Sequence, residues 1–228
     1  MISVIIVAGG KGKRMGADKN KVFLKLLDKE IIAHTASVFD DMDETDEIII
    51  VTGRDDIEEC ESVIKKNNIK KVSKIVEGGA ERQNSVYNGI LASKGDILVI
   101  HDAARCLVSA CDVKSAIEDC RKFGAAALGV TAKDTLKSVD ENGFIKATLD
   151  REQTYHIQTP QIFKRELIIK AHENAVNNSV LATDDCALVE AMGEMVKITK
   201  GSYDNIKITT PEDLVVGERI LKERRGLK

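Results

Sequence analysis

Cations and glycines crowd one stretch near the start of the chain: Ala8-Gly9-Gly10-Lys11-Gly12-Lys13-Arg14-Met15-Gly16, with Lys21 a turn or two later. Glycines let backbone N–H groups come close to an anion, and lysine and arginine supply the opposing charge. A nucleotide triphosphate needs that combination of main-chain donors and several cations. Ala8, Gly9, Gly10, Gly12 and Lys13 are therefore the expected nucleotide cradle. The spacing is neither G-x-G-x-x-G with a distant acidic residue nor G-x-x-x-x-G-K-[ST], which disfavours a dinucleotide oxidoreductase and a P-loop NTPase. Taken alone, the same residues also fit a glycine-rich turn with solvated lysines.

Five further groups carry polar chemistry. Gly78-Gly79-Ala80-Glu81-Arg82-Gln83-Asn84-Ser85-Val86 offers a glycine for close approach to a flat base and a serine hydroxyl for its edge. A helix beginning there would also turn its positive dipole end inward, although a capped helix start alone explains the same residues. In His101-Asp102-Ala103-Ala104-Arg105 the aspartate can accept from a ribose or substrate hydroxyl, or meet Mg²⁺ through water; a plain Asp–Arg loop pair is the alternative. Asp150-Arg151 and Thr159-Pro160-Gln161 follow. Last comes Asp204-Asn205-Ile206-Lys207-Ile208-Thr209, whose lysine sits in a strand-like apolar run and is expected to point at a ligand edge. The adjoining Thr210-Pro211 reads as a capped helix start.

These groups need a scaffold that brings them together, and the hydrophobic pattern supplies one. Short β-branched runs at Ile2–Val7, Glu47–Val51, Val72–Val76, Ile97–Ile100, Ala126–Val130 and Val196–Ile198 alternate with helix-period segments near Ile31–Asp40, Ile57–Asn67, Gln83–Ser93 and Val113–Phe123. Strands that are almost continuously apolar, separated by helices, predict an α/β fold: a mainly parallel, Rossmann-like sheet with helices on both faces. Ligands of such sheets bind beyond the carboxyl ends of the strands, which is where the first loop, the Gly78 loop and the His101 loop fall. One segment breaks the alternation. In 133–151, Asn142-Gly143 separates two alternating runs, the mark of a β-hairpin. A projecting hairpin has unmet edge hydrogen bonds, so it reads either as an ordinary surface hairpin or as an arm covering a partner subunit. No domain boundary is visible, and 1–228 is expected to be a single domain.

Composition narrows the class. The 228 residues are 43% hydrophobic and 31% charged, with a formal net charge of −3. A chain that gripped nucleic acid broadly would be basic, so no nucleic-acid partner is expected. The five cysteines are odd in number and none is spaced C-x-x-C, against both a disulfide framework and a zinc site. The apolar run that opens the chain is too short for a signal peptide or a membrane span. A cytoplasmic protein without a membrane partner is the expectation.

In chain order, A-G-G-x-G-x-R-M, G-G-x-x-R-Q-x-S-V, H-D-A-A-R, T-P-Q and D-N-I-K-I-T-x-P-E-D-L run through nearly the whole sequence. The first loop resembles that of nucleotidyltransferases, and the ordered set resembles the 2-C-methyl-D-erythritol 4-phosphate cytidylyltransferases of non-mevalonate isoprenoid synthesis. That resemblance implies transfer of CMP from CTP to a polyol phosphate with release of pyrophosphate, Mg²⁺ as cofactor, and a homodimer that exchanges its arms. It assigns transition-state stabilisation to Arg14 and Lys21, the acceptor phosphate to Arg151 and Lys207, and an arm contribution to the partner's site to Thr135. Gly79, Arg82, Ser85, Asp102 and Ala103 fall at nucleotide-binding positions. Mg²⁺ would ride mainly on the triphosphate, and ionised phosphate as nucleophile calls for no general base. The chain departs from the family pattern twice. Asn20 replaces the proline before Lys21, which implies a looser turn, and Cys106 replaces the proline after Arg105, where it reads as an inert space-filler. Rival readings are a ribitol 5-phosphate cytidylyltransferase, a non-catalytic nucleotide-binding module, and a uridylyl- or molybdenum-cofactor nucleotidyltransferase sharing only the first loop.

Overall fold

The computed structural model describes residues 1–9 and 20–227. Seven strands form one sheet: β1 (Ile2–Val7), β4 (Glu47–Thr52), β5 (Val72–Glu77), β6 (Ile97–Asp102), β7 (Ala125–Thr131), β10 (Tyr155–Lys164) and β11 (Lys197–Lys200), in the order β11-β7-β10-β6-β1-β4-β5. The β1–β4, β1–β6, β4–β5 and β7–β11 pairs are parallel, whereas β10 runs antiparallel to both β6 and β7. All the other strands therefore point their carboxyl ends the same way.

The apolar runs become strands because both of their faces are covered. Along β1, Val4 and Ile6 face one core with α1 (Ile31–Asp40), α2 (Ile57–Lys66) and α4 (Ala110–Phe123). Ile5 and Val7 face the other, with α3 (Arg82–Ala92), α5 (Arg165–Asn177) and α6 (Asp185–Glu190). The period of two sends alternate residues to opposite layers, and a polar residue there needs a partner, as Ser3 has in Glu47. A smaller cluster of Leu26, Ile31, Cys106, Leu107 and Ile208 takes the apolar side of α7 (Pro211–Arg224). Thr210 caps that helix in a capping box with Asp213, and Pro211 stands in the first turn.

The 133–151 segment is a hairpin, with β8 (Lys137–Val139) antiparallel to β9 (Ile145–Thr148). Gly143 takes φ +84 at its tip, a conformation that favours glycine. The β8–β9 pair is a separate two-stranded sheet, as are β2 (Lys25–Leu26) and β3 (Lys29–Glu30). No helix of the described residues is long and apolar enough to cross a membrane.

Candidate functional site

Because β1, β4, β5, β6, β7 and β11 run the same way, the segments that follow them gather along one edge. Asp102 ends β6 there. Arg82 Nε donates to Asp102 Oδ1 at 3.2 Å, and Lys207 Nζ donates to Asp102 Oδ2 at 2.6 Å. Three of the sequence-derived residues, from the Gly78, His101 and Asp204 segments, thus meet at one carboxylate. With Arg105, Gln158, Thr159 and Asp184 they line a cleft. Burial by itself would push the Asp102 carboxyl up; the Arg82 and Lys207 charges outweigh it and hold the group well below the usual carboxylate range.

The backbone of Asp102 is fixed as firmly as its side chain. His101 is fully buried, and its Nε2 lies 3.1 Å from the Arg105 carbonyl oxygen, which can only accept. We therefore assign the proton to Nε2. Nδ1 then accepts from Thr159 Oγ1 at 3.0 Å, and that oxygen in turn accepts from the Asp102 N–H at 3.1 Å. Burial pushes the His101 imidazole down to about 4, so this chain of hydrogen bonds keeps a neutral ring at neutral pH. His101 acts as a clamp and does not line the cleft.

Asn205 and Arg105 explain why the Asp204 segment arrives here. Asn205 Nδ2 donates to the Gln158 side chain at 3.2 Å and to the Thr159 carbonyl at 2.9 Å, and Arg105 Nη1 donates to the Asn205 carbonyl at 2.7 Å. The run around Lys207 is not a strand, contrary to its apolar pattern; the Ile208 N–H goes to the Ala104 carbonyl instead. Strand β11 ends at Lys200, and the intervening turn lifts Lys207 out of the sheet and onto Asp102.

The Gly78 loop is closely packed on itself. Ser85 Oγ accepts from the Gly79 N–H at 3.0 Å and donates to the Glu81 carbonyl at 3.1 Å. A Cβ at Gly79 would lie 2.3 Å from the Asn84 Cβ, so the loop requires this glycine for its own closure. Ala103 is buried, its N–H donating to the Val7 carbonyl and its carbonyl accepting from Thr35 Oγ1. Of the first loop, Ala8 is buried, Gly9 is exposed with open space at its Cβ position, and Lys21 is half-buried. Gly10, Gly12, Lys13 and Arg14 lie outside the described residues.

Asn20 behaves differently from the looser turn its replacement of proline implied. Its Nδ2 donates to the Ala8 carbonyl at 2.8 Å and to Asp56 Oδ2 at 2.9 Å, while its Oδ1 accepts from the Val22 N–H. One amide thus ties both ends of the loop together, next to Lys21. Cys106 is buried in the small apolar cluster, and burial pushes its thiol up to about 12, which suits a space-filler. Thr135 and Arg151 sit exposed on the arm and do not line the Asp102 cleft of their own chain.

Asp185 has no distinguishing mark in the sequence. It is buried, and it takes Arg82 Nη1 at 2.8 Å, opposite Asp102. In the sequence Thr183-Asp184-Asp185 reads as an ordinary helix start, and Asp184 does cap α6. The signal that would have singled out Asp185 is its distance to Arg82 through space, which spacing along the chain does not carry.

The family model described as IspD, 2-C-methyl-D-erythritol 4-phosphate cytidylyltransferase, matches residues 2–223. A protein of that name from Desulforamulus reducens is 46% identical over 226 residues, covering 98% of this chain and 97% of its own. One from Clostridium botulinum (strain ATCC 19397 / Type A) is 47% identical over 223 residues, covering 97% of each. The crystal structure of 4-diphosphocytidyl-2C-methyl-D-erythritol synthase from Anaerococcus prevotii superimposes with a TM-score of 0.87 at 30% identity, covering 97% of this chain and 96% of that one.

Proposed function

This chain belongs to the 2-C-methyl-D-erythritol 4-phosphate cytidylyltransferase family, and on that footing we propose that it transfers CMP from CTP to the phosphate of 2-C-methyl-D-erythritol 4-phosphate. A phosphate oxygen of the acceptor bonds to the α-phosphorus of CTP, the bond from that phosphorus to the bridging oxygen breaks, and pyrophosphate leaves. An ionised phosphate monoester is already a nucleophile, so no general base is required, and a neutral, enclosed His101 accords with that. The barrier is electrostatic: two polyanions must meet, and charge gathers on the α-phosphate oxygens.

The observation that carries this reading is the convergence of Arg82 and Lys207 on Asp102 at the carboxyl edge of the sheet. In it Arg14 and Lys21 stabilise the charge that develops in transfer, with Ala8, Gly9, Gly10, Gly12 and Lys13 around the triphosphate. Gly79, Arg82, Ser85, Asp102 and Ala103 form the nucleoside side. Lys207, with Arg151 and Thr135 delivered from a partner's arm, receives the acceptor phosphate. Mg²⁺ suits a cleft with two carboxylates, Asp102 and Asp184, of which Asp184 is already taken by Gln161 and the α6 N-terminus, since it keeps most of its waters and binds through one or two carboxylates plus phosphates. Asp102 is the residue that would hold it, and the ion would neutralise triphosphate charge. We further take the chain to be a single cytoplasmic domain, 1–228, that works as a homodimer through the arm at 133–151.

Pyrophosphate release separates the alternatives. With Mg²⁺, CTP and 2-C-methyl-D-erythritol 4-phosphate should give fast release, and UTP or ribitol 5-phosphate little, because a site that hydrogen-bonds one base edge leaves its polar groups unpaired with another. Comparable turnover with UTP or with ribitol 5-phosphate would overturn the assignment of substrates.

A further inference from the structure

Arg82 is held from two sides, and only one of them belongs to the cleft. Its Nε meets Asp102 at 3.2 Å and its Nη1 meets Asp185 at 2.8 Å. The Asp185 side chain is 1% exposed, closed off from any substrate. Its backbone N–H donates to Gln161 Oε1 at 3.0 Å, and the same Gln161 amide donates to the α6 cap, Asp184 Oδ2, at 2.7 Å. The backbone that carries the carboxylate is thus pinned by the start of α6 and by strand β10. The other carboxylate oxygen, Oδ1, lies 3.6 Å from His172 Nε2 on α5, and among the described residues neither atom has a hydrogen-bond partner. The His172 ring stacks on Tyr87 of α3, the helix that carries Arg82, with centroids 5.3 Å apart and planes 18° from parallel.

A buried carboxylate with an unmet oxygen is costly, and removing one partner of such a pair costs more than it would at the surface. A guanidinium is a rigid plane, so anchoring one nitrogen fixes the direction of the rest. We propose that Asp185, backed by His172, is a positioning residue: it aims the Arg82 guanidinium at Asp102, and so sets the carboxylate that the nucleotide meets. Without Asp185 the Arg82 fork is free to swing to the incoming phosphates, and Asp102 keeps only Lys207. The kinetic part of this inference rests on the cytidylyltransferase reading; the geometric part does not.

The test uses Asp185→Asn, which keeps the shape and removes the charge, and His172→Phe, which keeps a ring on Tyr87 and removes the nitrogen. For Asp185→Asn the expected result is a rise of ~10-fold or more in the KM for CTP, with the acceptor KM within about three-fold, since small misplacements near a reacting centre are expensive. His172→Phe should shift the CTP KM in the same direction by a few-fold, roughly the scale of one weakened neighbour contact. Crystal structures of both variants should show the Arg82 guanidinium displaced from Asp102. A merely structural role would lower stability and active fraction and leave the KM unmoved. If Asp185→Asn does not fold, His172→Phe carries both readouts. If the wild-type enzyme transfers no cytidylyl group, the functional reading fails, and the position of Arg82 in the variants still decides the geometric claim. An unmoved Arg82 with an unchanged CTP KM in a folded variant would overturn the proposal.

Discussion

The Lys207 ammonium lies 2.6 Å from Asp102, so removing it does two things at once. It takes a cation from the proposed acceptor phosphate, and it leaves Asp102 with Arg82 alone. Lys207→Ala should therefore raise the acceptor KM sharply and the CTP KM by a smaller factor. In the proposed reaction Lys21 stands at the loop that holds the triphosphate, and its charge would act on the group that changes most in transfer. Lys21→Ala should lower kcat by ~10²–10³ and leave the acceptor KM within a few-fold. Steady-state kinetics with each substrate varied in turn checks both, and an effect of Lys207→Ala confined to CTP would reverse the assignment. Asp102 was singled out in the sequence as the polar residue that closes the apolar run of β6, whereas Lys207 was singled out by an apolar run that is not a strand, and only the turn after Lys200 brings it to Asp102. Asp185 and His172 were not. One hides in a helix cap and the other is a lone histidine on a helix, and only the packing of α3, α5 and α6 brings them to Arg82.

At the scale of elements, the turn before Lys21 shows how a departure from the family pattern can be compensated. Proline would restrict the turn through its ring. Asn20 holds it through hydrogen bonds to Ala8, Asp56 and Val22. Replacing a buried, fully used amide by Ala should cost about 1–3 kcal/mol of unfolding free energy. Asn20→Ala should thus lower the urea midpoint at unchanged slope, whereas an unchanged midpoint would mean that the turn is held by other contacts. The elements that alternate cleanly along the chain were readable: β1, β4, β5, β6, β7 and the helices between them match their apolar periods. Strand β10 was not readable as a strand. Its Tyr155–Lys164 run contains Pro160 and polar Gln158, Thr159 and Gln161, a pattern that argues against a central strand. The ladder to β7 breaks its register between Ile157 and Gln161, so Pro160 sits where a backbone donor is not demanded, and Thr159 is left facing His101 and Asp102.

At the scale of the molecule, the arm is a two-stranded sheet separate from the main one, and residues 141–150 of it are all exposed. Phe144 is 72% exposed and Ile145 65% exposed near its tip, two large apolar side chains side by side in solvent. If the arm covers a second copy, Phe144→Glu should weaken the dimer by ~10-fold or more, as burying a charge at an interface core does. Sedimentation velocity across a dilution series reads this directly, and a wild-type monomer fully active at nanomolar concentration would contradict it. The layered α/β architecture was legible because its strands are apolar on both faces, but any exchange of arms would be a property of two chains, and spacing in one says only that a hairpin exists. The central claim is that a phosphate oxygen of the acceptor attacks the α-phosphorus of CTP. It is tested most directly with 2-C-methyl-D-erythritol 4-phosphate whose phosphate oxygens carry ¹⁸O, incubated with the protein, CTP and Mg²⁺, and read by mass spectrometry of both products. The account predicts that every labelled oxygen is found in the cytidine diphosphate ester and none in pyrophosphate. Label in pyrophosphate, or no diphosphate ester at all, would contradict it.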